Sequence, residues 1–149
     1  MDISQLVDAI DALDAHDALV CKLGQAGWKL LAPYLSMRFL QPGAVLMREG
    51  DNDRELYFLA QGELAAQVRG TTIATLTPGT VVGEGTFFSG QPRSATIVAG
   101  TASVAWSLEW DKYEAMAAQY PKLALDLTKG LSAVLAVRMR AAILVGQFV

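Results

Sequence analysis

Leu6, Ile10 and Leu13 recur at helical spacing with aspartates between them, and Trp28, Leu31 and Leu35 form a second apolar set ending beside Pro33 and Tyr34. This pattern predicts helix through residues 3–35. From about Met37 to Glu109 the chain changes to short apolar runs: 45–47, 56–59, 64–68, 71–76, 95–98 and 103–108. Gly43, Gly50, Gly62, Gly70, Gly79, Gly90 and Gly100 fall between them. Short strands punctuated in this way predict an antiparallel sandwich or barrel rather than a βαβ fold. Asp111, with Glu114 three residues on, signals a capping box, and Pro121 suits the first turn of a last helix. Leu123, Leu127, Leu131, Val134, Ala141 and Val145 trace one face of it. Leu125, Leu135, Met139, Ile143 and Leu144 widen the apolar stripe. Such a helix either closes the β structure or offers its second stripe to a twin helix or a partner protein.

A chain of 149 residues fits one domain with a core large enough to need neither disulfide nor metal. Its net charge of −3 argues against nucleic acid as the main partner. Asp2, Asp8, Asp11, Asp14 and Asp17 make the start acidic, while Lys122, Lys129, Arg138 and Arg140 make the last segment mildly basic. The start lacks a basic region, so no signal peptide is expected. Arg138 and Arg140 break the apolar stretch 130–149, so no membrane span is expected either. The lone Cys21 makes no intrachain disulfide and fits a reducing cytoplasm.

One histidine and one cysteine supply neither a nucleophile–base pair nor a metal cluster, so catalysis, metal and cofactor are not expected. His16 is a surface residue on this reading, Cys21 a packed one, and Trp28, Trp106 and Trp110 core or rim aromatics. Glu49, Asp51, Asp53 and Glu55 form an acidic turn, read as solvated because the spacing is not that of a calcium loop.

Between Arg69 and Glu109 the charged side chains are Glu84 and Arg93 alone. Charges inside uncharged β structure are costly unless paired or turned to a ligand. From spacing, the two form a structural ion pair, sit on loop tips, or serve a ligand. Gly83 and Gly85 bracket Glu84, letting backbone approach a ligand closely, and a short helical turn there would aim N–H groups at an anion. Arg93 could then fork onto phosphate oxygens and Glu84 accept from a ribose hydroxyl.

Gly83-Glu84, followed after eight residues by Arg93 with Pro92 before it and Ser94-Ala95-Thr96 behind, closely resembles the phosphate-binding cassette of cyclic-nucleotide-binding domains. The runs 40–46, 49–51 and 56–64 resemble that family's opening strands. The resemblance covers roughly residues 20 to 145. It implies a mainly β fold: an eight-stranded antiparallel jelly roll with N-terminal helices (1–36), the roll (37–109, cassette 83–95) and C-terminal helices (110–149). It also implies that Glu84 holds the ribose 2′-hydroxyl, that Arg93 holds the cyclic phosphate, and that backbone at Gly85 and Thr86 completes the cradle. The base would lie against the last helix, where Arg138 and Met139 could cap it.

Two positions depart from the family pattern. Gly85 stands where a larger aliphatic residue is usual, and Thr86 where alanine is usual. Ser94 stands where a hydroxyl can reach guanine, yet cAMP-binding members also carry serine, and cAMP is favoured over cGMP. The implied function is a cytoplasmic cyclic-nucleotide sensor that signals through its C-terminal helix. The alternative is a degenerate roll acting as an interaction scaffold. A catabolite-activator-type transcription factor is not expected, because no helix-turn-helix domain fits between Pro121 and Val149.

Overall fold

The structure, a computed structural model, describes residues 2–145; Met1 and residues 146–149 of the expected unit lie outside it. Helices α1 (Ile3–Ala12) and α2 (Gly24–Leu31) precede a short 3-10 turn and eight strands: β1 (Ser36–Leu40), β2 (Val45–Met47), β3 (Glu55–Gln61), β4 (Leu64–Val68), β5 (Thr71–Leu76), β6 (Val81–Val82), β7 (Thr96–Ala99) and β8 (Ser103–Glu109). Helix α3 (Glu84–Ser89) interrupts the strands after β6, and α4 (Trp110–Gln119) and α5 (Pro121–Leu144) follow β8. The strands pair antiparallel in two four-stranded sheets, ordered β1-β8-β3-β6 and β2-β7-β4-β5. This is the expected jelly roll with flanking helices.

Strand β3 explains how the layers divide. Its run Leu56-Tyr57-Phe58-Leu59-Ala60 is buried throughout, because successive side chains enter different cores. Leu56, Phe58 and Ala60 join the larger core with α1, α2, α4 and α5, while Tyr57 and Leu59 join the second core with Met47, Leu64, Val82 and Ile97. Strand β5, at a sheet edge, is exposed along almost its whole length. Arg69 and Gly70, both at positive φ (52° and 81°), make the tight β4–β5 turn.

Three sequence expectations need correction. Helix does not run through 3–35: residues 13–23 are not helical, and Leu13 already has extended backbone. The cause is tertiary. Residues 19–21 lie directly against α5 at Gly130, where an added Cβ would meet the Val20 carbonyl oxygen and the Cys21 Cβ at 2.9 Å. Nor does Asp111 cap α4. The helix starts two residues earlier than such a cap would place it, with Glu109 in the cap position; the Trp110 N–H is satisfied by the Arg54 carbonyl at 3.0 Å, and Asp111 Oδ1 accepts from the neighbouring Lys112 N–H instead. Third, the predicted face of α5 is buried at Leu123, Leu127, Leu131 and Val134 but exposed at Ala141 and Val145. Leu125, Met139, Ile143 and Leu144 of the second stripe are also exposed. No helix among the described residues is long and apolar enough to cross a membrane.

Candidate functional site

Gly83 turns the chain from β6 into α3 with φ 88°, in the left-handed region that favours glycine. A Cβ there would stand 2.5 Å from Arg93 Nη1 and 2.9 Å from the Glu55 carbonyl oxygen, so glycine also lets Arg93 approach. Glu84 opens α3 and is buried, as are Thr86 and Arg93. Gly85 points its missing side chain into open space.

Arg93 lies in the loop between α3 and β7, fixed by its backbone: its N–H donates to the Asp51 carbonyl at 2.6 Å, and its carbonyl accepts from Gly50 N–H at 2.9 Å. The guanidinium gathers three elements. Nη1 donates to the Gly83 carbonyl at 3.0 Å, and Nη2 donates to the Glu55 carbonyl at 2.6 Å and to Asp53 Oδ2 at 2.9 Å. Each terminal nitrogen carries two hydrogens, so Nη1 keeps one to offer a ligand.

Glu84 does not pair with Arg93. Its Oε1 lies 2.7 Å from Arg138 Nη1 on α5, and the same guanidinium donates to Asp17 Oδ2 at 2.7 Å and to the Val81 carbonyl at 2.8 Å. Burial works against the Arg138 charge. The Glu84 carboxylate, by charge and hydrogen bond, and then Asp17 outweigh it and hold the guanidinium above its ordinary pKa.

These groups face one cavity of about 510 Å³, a size suited to a nucleotide-sized ligand. Gly83, Glu84, Gly85, Thr86, Arg93, Ser94 and Ala95 line it from the cassette, and Leu135, Arg138 and Met139 from α5. Of the cassette residues that carry the family resemblance, Pro92 and Thr96 do not line it, and Pro92 is exposed. Apolar side chains of the roll, among them Met47, Ile73 and Ile97, complete the lining.

Sequence reading missed Asp17 on the wall and Asp53 behind Arg93. The acidic turn is not simply solvated: Asp53 is bound to Arg93, and Glu55 to Arg38. A signal for Asp53 did exist, since a buried arginine in an uncharged roll demands a carboxylate, and that acidic turn adjoins β3. Nothing in the local pattern marks Asp17, whose partner lies on α5. His16 is exposed and Cys21 half-buried; Trp28 and Trp106 are buried and Trp110 partly so.

A family model described as the cyclic nucleotide-binding domain matches residues 37–120, more than half of the chain. The chain belongs to the cyclic nucleotide-binding domain family. Among curated relatives, the human potassium/sodium hyperpolarization-activated cyclic nucleotide-gated channel 3 is 32% identical over 89 residues, which are 60% of this chain and 12% of the channel. The chain thus spans a small fraction of that protein's length. A solved cyclic nucleotide-binding domain from Methylobacillus flagellatus superposes with a TM-score of 0.83 at 21% identity, covering 99% of this chain and 84% of that one. The catabolite activator protein of Thermus thermophilus gives 0.71 at 29% identity, over 82% of this chain and 58% of its own. Glu84 and Arg93 are both buried, and each is already engaged by another side chain, Arg138 and Asp53 respectively.

Proposed function

We propose that this domain is a non-catalytic, cytoplasmic sensor that binds a cyclic nucleotide, cAMP in preference to cGMP, and reports it through α5. The observation that carries the reading is the cavity: a buried glutamate, a buried arginine and the inner face of α5 line one space. Arg93 is assigned the cyclic phosphate through its remaining Nη1 hydrogen, Glu84 the ribose 2′-hydroxyl, and the Gly85 and Thr86 N–H groups the rest of the cradle. Ser94 and Ala95 border the phosphate end. The base is assigned to Leu135, Arg138 and Met139. Pro92 shapes the loop rather than touching ligand. The unit of sensing is the whole chain, 1–36, 37–109 and 110–149 acting together. The exposed part of the α5 stripe that lies away from the cavity, Leu125, Ile143 and Leu144, is assigned to a second copy or a partner protein.

The Glu84–Arg138 contact gives the sensor its output. A ribose hydroxyl and the α5 guanidinium seek the same carboxylate, so ligand binding biases where α5 rests. A difference of a few kcal/mol between two helix positions suffices for a switch. That same contact also favours a second reading, a roll that binds partners and no nucleotide, because one Glu84 oxygen is already paired without a ligand.

Thermal unfolding with millimolar cAMP, cGMP and 5′-AMP separates the two. A sensor shows a higher Tm with cyclic nucleotides, most with cAMP, since a ligand that binds only the folded state stabilises it by mass action. No shift with either cyclic nucleotide rejects the sensor in favour of the scaffold.

A further inference from the structure

Arg54 follows the carboxylate that holds Arg93, yet its guanidinium engages different elements. Nε donates to the Phe87 carbonyl at 2.9 Å, and Nη2 to the Phe88 carbonyl at 3.0 Å. These carbonyls belong to the last residues of α3, where helical acceptors lack intrahelical partners. The Arg54 Cζ also lies 3.7 Å from the centroid of the Trp110 ring, at the start of α4. The backbone repeats the connection, for the Trp110 N–H donates to the Arg54 carbonyl. Around this point Phe87 meets Trp110 and Tyr113 edge-on, with centroids 5.1 and 5.4 Å away, while Trp110 and Tyr113 stack at 5.2 Å. One loop therefore carries two grips: Asp53 on the cassette arginine, and Arg54 on the far end of the cassette helix.

A six-residue helix has little stability of its own, and α3 ends at Gly90 with φ 71°. Besides the edge-on contacts of Phe87 and Phe88 with Trp110 and Tyr113, its C-terminal turn is held against α4 by a planar fork with two hydrogen bonds on one edge and an aromatic ring on its face, a combination lysine cannot reproduce. We propose that Arg54 is a positioning residue for nucleotide capture: its guanidinium clamps the C-terminal carbonyls of α3 onto the Trp110 face of α4, so that α3 and α4 move as one body when the cassette takes its ligand. The role rests on the nucleotide reading of the cavity. It adds a route from the cassette to the C-terminal helices that does not pass through Arg138.

The test uses the full chain with Cys21→Ser, carrying nitroxide labels at Lys112→Cys on α4 and Ala102→Cys in the turn before β8. Their separation is measured by pulsed electron resonance with and without saturating cAMP, and Kd by calorimetry. The parent should show a cAMP-dependent change in distance. Arg54→Gln should bind on the order of tenfold more weakly and, at saturation, lose the change; Arg54→Lys should recover part of it. Trp110→Leu keeps the hydrogen bonds and removes the ring, which covers the case in which Arg54→Gln does not fold. It should also lose the change, with Kd altered by less than about threefold. A merely structural arginine would lower stability without uncoupling distance from occupancy. A parent that binds but does not change, or folded variants that change as fully as the parent, overturns the role of Arg54 alone. A parent that binds neither cAMP nor cGMP overturns the nucleotide reading and this role with it.

Discussion

Arg138 Nη1 lies 2.7 Å from Glu84 Oε1, joining the last helix to the first residue of the cassette helix. Asp17, from the non-helical segment after α1, completes the group through Arg138 Nε at 2.7 Å. One cation thus serves two carboxylates that are partly or wholly withdrawn from water, and all three side chains border the cavity. Any ligand that hydrogen-bonds to Glu84 must share it with Arg138 or displace it.

Replacing Arg138 by glutamine should destabilise the ligand-free protein by about 1–3 kcal/mol. It leaves Glu84 and Asp17 without their cation at a site that is not fully dry. The loss should be smaller with saturating cAMP than with saturating 2′-deoxy-cAMP, because only the ribose hydroxyl supplies Glu84 with a partner, while the base loses its Arg138 cap in both. Urea denaturation with each ligand measures both values. Equal losses would reject competition for Glu84.

Arg93→Ala should weaken cAMP binding by roughly thirty-fold to several thousand-fold, the cost of leaving a phosphate without its buried cation. It should lower stability as well, since Asp53 and the Gly83 and Glu55 carbonyls lose their shared donor. Arg93→Lys keeps the charge but cannot reach three acceptors in one plane, so it should recover only part of the affinity. Calorimetric titration decides; an unchanged Kd in Arg93→Ala would remove the arginine from the phosphate site.

The two glycines around Glu84 should respond in opposite directions. Gly83→Ala meets both a positive φ and the Arg93 guanidinium, and should cost about 1–3 kcal/mol. Gly85→Ala enters open space within a helical turn and should stabilise by about 0.5–1 kcal/mol. Denaturant midpoints of the pair compare them directly. A stabilised Gly83→Ala would contradict the backbone argument.

Burial first, and then the charges of Asp11 and Asp126, push the Cys21 thiol up to about 11 from an ordinary value of 9.0. At pH 8 its thiolate population, and hence its alkylation by iodoacetamide, should be about a hundredfold below that of an unfolded-chain cysteine. The sign for stability follows from the raised value. The neutral thiol favours the folded state fully below pH 9, and that contribution is lost as pH rises through about 11. Alkylation at the rate of a free peptide thiol would contradict the burial.

Much of the fold is local in origin and was visible in order along the chain. Glycines between short apolar runs marked the strands, Pro121 marked the start of α5, and the solitary charges Glu84 and Arg93 marked the cassette. Strand β3 read simply as a continuous apolar run, because a strand buried on both faces has no polar positions to reveal its alternation. The segment 13–23 read as helix because it joins two apolar sets that each have helical spacing. Its path depends on the absent side chain of Gly130, over a hundred residues away.

Taken alone, the amino-acid order determined which residues would carry charge into an uncharged roll, where its strands would turn, and that a long apolar helix would end the described fold. Tertiary structure decided the partners: Asp53 for Arg93, Arg138 for Glu84, and Arg54 for the end of α3. The physical reason is that backbone preferences act over a few neighbouring residues, whereas a buried charge takes whichever opposite charge the completed fold brings within about 3 Å, whatever the distance between them along the chain.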